Sequence, residues 1–98
     1  MIKGINLEYE KIEKEYSGTG RDTEELFKIT VERRYNIEFD EHYQIITITA
    51  RTEYELDWQD PVIEIQPKCI KYSELKDILE LVDKVVELIE EIKKEESV

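Results

Sequence analysis

Apolar and polar residues alternate through the middle of the chain. Phe27, Ile29, Val31, Tyr35, Ile37 and Phe39 hold odd positions, while Lys28, Thr30, Glu32, Arg34, Asn36, Glu38 and Asp40 hold even ones. A period of two is that of a strand with one buried face. Asp40-Glu41-His42 interrupts the pattern, which then resumes with Ile46, Ile48, Ala50, Tyr54, Leu56 and Trp58 on even positions. Two such runs across a short polar break predict a long antiparallel hairpin over residues 26–39 and 43–58. Strands of about 13 residues reach roughly 43 Å, well beyond the usual length, and strands that long twist, bulge or continue into a partner's sheet.

Asp60-Pro61 signals another turn, and Val62, Ile63 and Ile65 predict a short strand over 62–66 that Pro67 ends by removing a ladder donor. The first segment satisfies two periods. Ile5, Leu7 and Tyr9 alternate like a strand, while Ile5, Tyr9, Ile12 and Tyr16 recur at helical spacing. Leu7 fits only the strand, so the reading is a strand over 1–16 with a bulge near Glu10-Lys11. Ser17 to Asp22 then forms a loop.

The period changes in the last third. Leu75, Ile78, Leu79, Val82, Val85, Val86, Ile89 and Ile92 recur at three and four, which predicts an amphipathic helix over 73–95 with Ser73 as its N-cap. Glu80 with Lys84 and Glu90 with Lys94 are favourably ordered pairs one turn apart. Leu81 and Leu88, one heptad apart, widen the apolar face and point to a second contact surface, an oligomer interface. Arg33 breaks the apolar face of the first hairpin strand. It is expected to snorkel past the helix edge, pair with Glu87 or Glu91, or mark where the strand leaves the core.

These elements make one domain over 1–98 of the α+β class: an antiparallel meander of about four strands with one long C-terminal helix on one sheet face. One helix hardly covers a sheet of long strands, so a homodimer or higher homo-oligomer is expected to bury the remainder.

Charge narrows the functional classes. Lys plus Arg number 14 against 25 Asp plus Glu, a net charge of −11. Such a chain is ill suited to bind nucleic acid directly or to dock on anionic lipid, both of which call for basic residues. Five Gly and Pro residues and regular apolar patterning argue for a folded chain over a disordered one. Cys69 is the lone cysteine, so no intrachain disulfide forms. With no signal-like or membrane-spanning run, a cytoplasmic location is expected, the host cytoplasm if the chain is virus-encoded.

Candidate chemistry is sparse. His42 sits in the hairpin turn beside Asp40 and Glu41, but a metal site there lacks a second nitrogen or sulfur ligand, so it reads as a solvated turn residue. Cys69 has no neighbouring base and reads as a small filler near Pro67. Ser17-Gly18-Thr19-Gly20-Arg21 has the glycines of a phosphate loop without its Lys-Ser/Thr pair. No metal, cofactor or catalytic residue is expected, and the chain reads as non-enzymatic.

Two features remain. Glu53, Glu55 and Asp57 line one side of the second hairpin strand about 6.6 Å apart, broadened by Glu38, Asp40 and Glu64. Carboxylates in such a row can imitate phosphates to a basic groove, although a solvated face of an acidic protein looks the same. Trp58 beside Asp57 and Asp60 is suited to anchor a protein interface. In size, acidity and lack of a located active site the chain resembles the nucleic-acid-mimicking inhibitors that viruses encode against restriction or CRISPR systems. That resemblance implies binding to a basic, nucleic-acid-binding protein partner. In layout, a meander followed by one helix, it is similar to the SecB-type export chaperones, which implies a holdase or assembly adaptor. A small-ligand or enzymatic domain is the third alternative.

Overall fold

The computed structural model describes residues 2–17, 25–53 and 61–96. These form β1 (Ile2–Ser17), β2 (Glu25–Phe39), β3 (Tyr43–Glu53), β4 (Val62–Gln66) and α1 (Tyr72–Glu96). The strands make one antiparallel sheet in the order β1-β2-β3-β4, and α1 lies on one of its faces, over the central pair β2 and β3. The α+β meander expected from the periods is the observed fold.

Register explains the alternation. Val31 lies opposite Ala50, Tyr35 opposite Ile46, Ala50 opposite Ile63, and Ile48 opposite Ile65, so odd residues of β2 and β4 share the helix-covered face with even residues of β3. Ile29, Val31, Ile37, Ile46, Ile48 and Ala50 are fully buried there, against Ile78, Val85 and Ile89 of the helix. β2 and β3 meet at a two-residue turn, Asp40-Glu41, where the Phe39 N–H donates to the His42 carbonyl at 2.9 Å.

The double period of the first segment has a physical origin. Leu7 pairs with Tyr35 and Tyr9 with Arg34, so Glu8 is an extra residue on β1. An extra residue flips the facing of those that follow, here as far as the next shift at Glu15/Tyr16. Ile5 and Leu7 therefore share the helix side with Glu10, Ile12 and Lys14, although their parities differ. This bulge sits at Leu7/Tyr9, earlier than the expected Glu10-Lys11, and so brings Glu10 opposite Arg33 as well as Ile12 opposite Val31; further register shifts fall at Ile2/Gly4 and Glu15/Tyr16.

Three further expectations are corrected. The Lys71 carbonyl accepts from the N–H groups of Glu74 and Leu75, so Lys71 occupies the cap position and Ser73 lies inside the first turn. Leu81 is 2% exposed and Leu88 half-buried against the core. Leu81 and Val82, about 100° apart around the helix, both face the core, so Leu81 is taken up by its own chain and is not free for a second surface. Arg33 pairs with Glu10 of β1, not with an acid on the helix. The segment 54–58, expected to extend the hairpin, lies outside the described residues.

The burial pattern predicts a contrast within β3. Ile48→Ala should cost about 2–5 kcal/mol in urea unfolding, since a fully buried isoleucine leaves a cavity, while Ile45→Ala on the uncovered face should cost under about 1 kcal/mol. Equal losses at both positions would contradict the layering.

Candidate functional site

The acidic residues expected to act together are dispersed where the structure describes them. Glu38 and Glu64 are both exposed on the sheet face opposite the helix, but Glu38 pairs with Tyr43 and Glu64 with Thr49, so roughly 20 Å of strand separates them. Asp40 is exposed in the hairpin turn. Glu53 ends β3 opposite Lys28, and Glu55, Asp57 and Trp58 lie outside the described residues. The open face is also electrostatically mixed: Lys28, Arg34 and Arg51 stand among Glu32, Glu38 and Glu64. Tyr9 shares it, with the Arg34 guanidinium 5.2 Å from its ring centre.

A more continuous acidic surface lies on the helix. Glu80, Asp83, Glu87 and Glu90 are all exposed and recur at three, four and three, which places them in one ridge about 15 Å long on the solvent side of α1. Lys76 and Lys94 bound it, and exposed Lys84 flanks it one turn from Glu80 and Glu87. The spacing is visible in the sequence, where it is masked by reading Glu80 and Glu90 only as partners of Lys84 and Lys94.

His42 is more than a solvated turn residue. Its ring stacks on Phe39, with centroids 5.0 Å apart and planes 25° from parallel. Its Nε2 lies 3.6 Å from Oε1 of Glu74, a buried carboxylate in the first turn of α1. Lys71 Nζ reaches Glu41 at 3.5 Å beside it. Together they fasten the hairpin turn to the start of the helix. Cys69, expected as a partly buried filler, is exposed, because the segment between β4 and α1 runs over the surface.

On the helix side of the β1–β2 pair, Arg33 Nε donates to Glu10 Oε2 at 2.5 Å, and Nη1 donates to the Tyr35 hydroxyl at 3.3 Å. Burial alone would lower the pKa of this guanidinium, but the hydrogen bonds to Tyr35 and Glu10 outweigh it and the net shift is upward. Beyond this pair the helix-side residues of β1 are open: Ile5, Leu7 and Ile12 are 46, 44 and 40% exposed. Leu75 and Leu79 are exposed on the helix.

One depression, open to solvent, is lined by Gly4, Asn6, Asn36, Glu38 and Tyr43 among others, and Oδ1 of Asn36 is buried without a hydrogen-bond partner. Among the described residues no three His, Cys, Asp or Glu side chains are grouped to hold a metal ion, and no helix is long and apolar enough to cross a membrane. Compared with known proteins, the chain matches no family model, no curated protein and no solved structure.

Proposed function

We propose that this chain is a non-enzymatic interaction protein that docks an acidic surface on a basic, nucleic-acid-binding protein and blocks it. The observation that carries this reading is the ridge Glu80, Asp83, Glu87 and Glu90, exposed along one side of one helix, in a chain of net charge −11. Neighbouring residues of the ridge have their Cβ atoms about 5–6 Å apart, and the helix fixes that backbone spacing before binding, so only the side chains remain to be ordered. The net charge adds long-range attraction toward a basic partner. The ridge takes over the part first assigned to Glu53, Glu55 and Asp57, with Trp58 retained as a candidate anchor.

A second reading is favoured by a separate observation. Exposed Leu75, Leu79, Ile5 and Leu7 form apolar surface of the kind a holdase or assembly adaptor uses.

Affinity capture from host lysate at low salt and at about 0.5 M salt separates the two, since screening weakens a charge-led contact. The proposal expects a nucleic-acid-binding protein that is lost at high salt, is displaced by duplex DNA, and is not captured by the double variant Asp83→Lys, Glu90→Lys, which should keep its circular dichroism spectrum. Capture unaffected by the double variant would contradict it. Many unfolded clients retained through the salt wash and lost with Leu79→Glu would favour the second reading.

A further inference from the structure

β1 is an edge of the sheet, 16 residues long, and the direction of its backbone groups follows from the hairpin. The Phe39 N–H bonds to the His42 carbonyl, so Phe39 turns its backbone groups toward β3. Residues of an antiparallel strand alternate between their two neighbours. Odd residues of β2 thus bond β3, and even residues bond β1. The β2–β3 register runs without a shift from Lys28 opposite Glu53 to Glu38 opposite Tyr43. Tyr9, Lys11 and Glu13 of β1 lie opposite Arg34, Glu32 and Thr30. These odd residues of β1 therefore bond inward, and Glu10, Ile12 and Lys14 direct their N–H and C=O groups at the open edge.

Those outward residues belong to the run Glu10-Lys11-Ile12-Glu13-Lys14, which is complementary to itself when reversed. We propose that β1 is a self-association edge, on which a second copy of this chain pairs antiparallel about a two-fold axis at Ile12 and the two sheets become one of eight strands. In that register Ile12 meets Ile12, Glu10 meets Lys14, and Lys11 meets Glu13. Each of the three outward pairs exchanges two backbone hydrogen bonds. Helix-side residues must meet helix-side residues, so the register slips only in steps of two, which moves the axis by one residue. An axis at Glu10, Lys11, Glu13 or Lys14 sets a charge directly against its own copy. Ile12 is the one centre in the run that avoids this.

The side chains are placed to complete networks already begun within each chain. Lys11 Nζ lies 2.6 Å from Glu13 Oε1, and their contact raises the lysine pKa and lowers that of the carboxyl. Across the axis the two pairs close into a ring of four alternating charges on the open face. On the helix side, Glu10 accepts from Arg33, and Lys14, which also engages its own chain, comes opposite Glu10 of the second copy. Ile12, 40% exposed, stacks on its copy. Charges and bulges on an edge strand ordinarily keep other strands away. Here the same devices exclude foreign strands and shifted registers while admitting the matched copy.

Sedimentation equilibrium of the full chain tests this with three variants at exposed positions. Lys11→Glu and Glu13→Lys each place like charges opposite one another at two sites, and each should weaken dimerisation about tenfold. An equimolar mixture of the two restores opposite charges at both sites and should recover wild-type association, as should the doubly substituted chain carrying both changes. A wild-type chain that stays monomeric at high micromolar concentration would overturn the proposal. So would dimers that the single variants leave unchanged, or single variants that are not rescued by mixing or by the double substitution. None of these outcomes depends on the partner of the acidic ridge.

Discussion

A helix is about 10–12 Å wide, and neighbouring strands are about 4.8 Å apart, so one helix laid along a sheet covers two strands. This mismatch between one helix and four strands governs the molecule. α1 takes the central pair, β2 and β3, and every fully buried strand residue lies on them. β4 is short and tucks Ile63 and Ile65 against the core margin. β1 is as long as β2 but lies beyond the helix, and Ile5, Leu7, Tyr9, Ile12 and Tyr16 stay 40% or more exposed, with Ile2 alone among its apolar residues packed against the core. The edge that results is not apolar throughout. Arg33 and Glu10 interrupt it with a hydrogen-bonded ion pair where the covered and uncovered strands meet, which is where a charged pair is least costly to desolvate.

Much of this was legible in the residues. The period of two in β2 and β3 and the period of 3.6 in α1 each report one buried face, and both faces are where the periods put them. The first segment resisted reading because one extra residue, Glu8, reverses the facing midway, so that no single period fits Ile5, Leu7 and Ile12 together. Arg33 was visible as an anomaly, but its partner was not, because pairing across strands depends on register and not on spacing. Leu81 differs from its reading for a related reason: the width of an apolar stripe does not tell whether a second strand of the same sheet or a second molecule fills it.

The candidate surfaces were read less completely. Charge alone directs attention to any acidic row, but Glu53, the one member of the strand row within the described residues, is paired across the sheet with Lys28. The helix ridge keeps four exposed acids in line on one element, with Lys84 on its flank, and that makes it the better candidate for presenting charge. The two proposals use opposite parts of the molecule, the ridge on the outer side of α1 and the open backbone of β1. A chain joined through β1 would present two ridges, and two-point attachment to a repetitive basic partner would raise avidity without new contacts.

Occupancy of the open edge of β1 in solution is directly measurable. Amide hydrogen exchange, followed residue by residue at several protein concentrations, reads this without any substitution. The expected result is protection at Glu10, Ile12 and Lys14 that rises with concentration toward that of Lys11 and Glu13, whose amides are bonded to β2. Exchange of those three amides at free-chain rates at every concentration, beside protected Lys11 and Glu13, would contradict it.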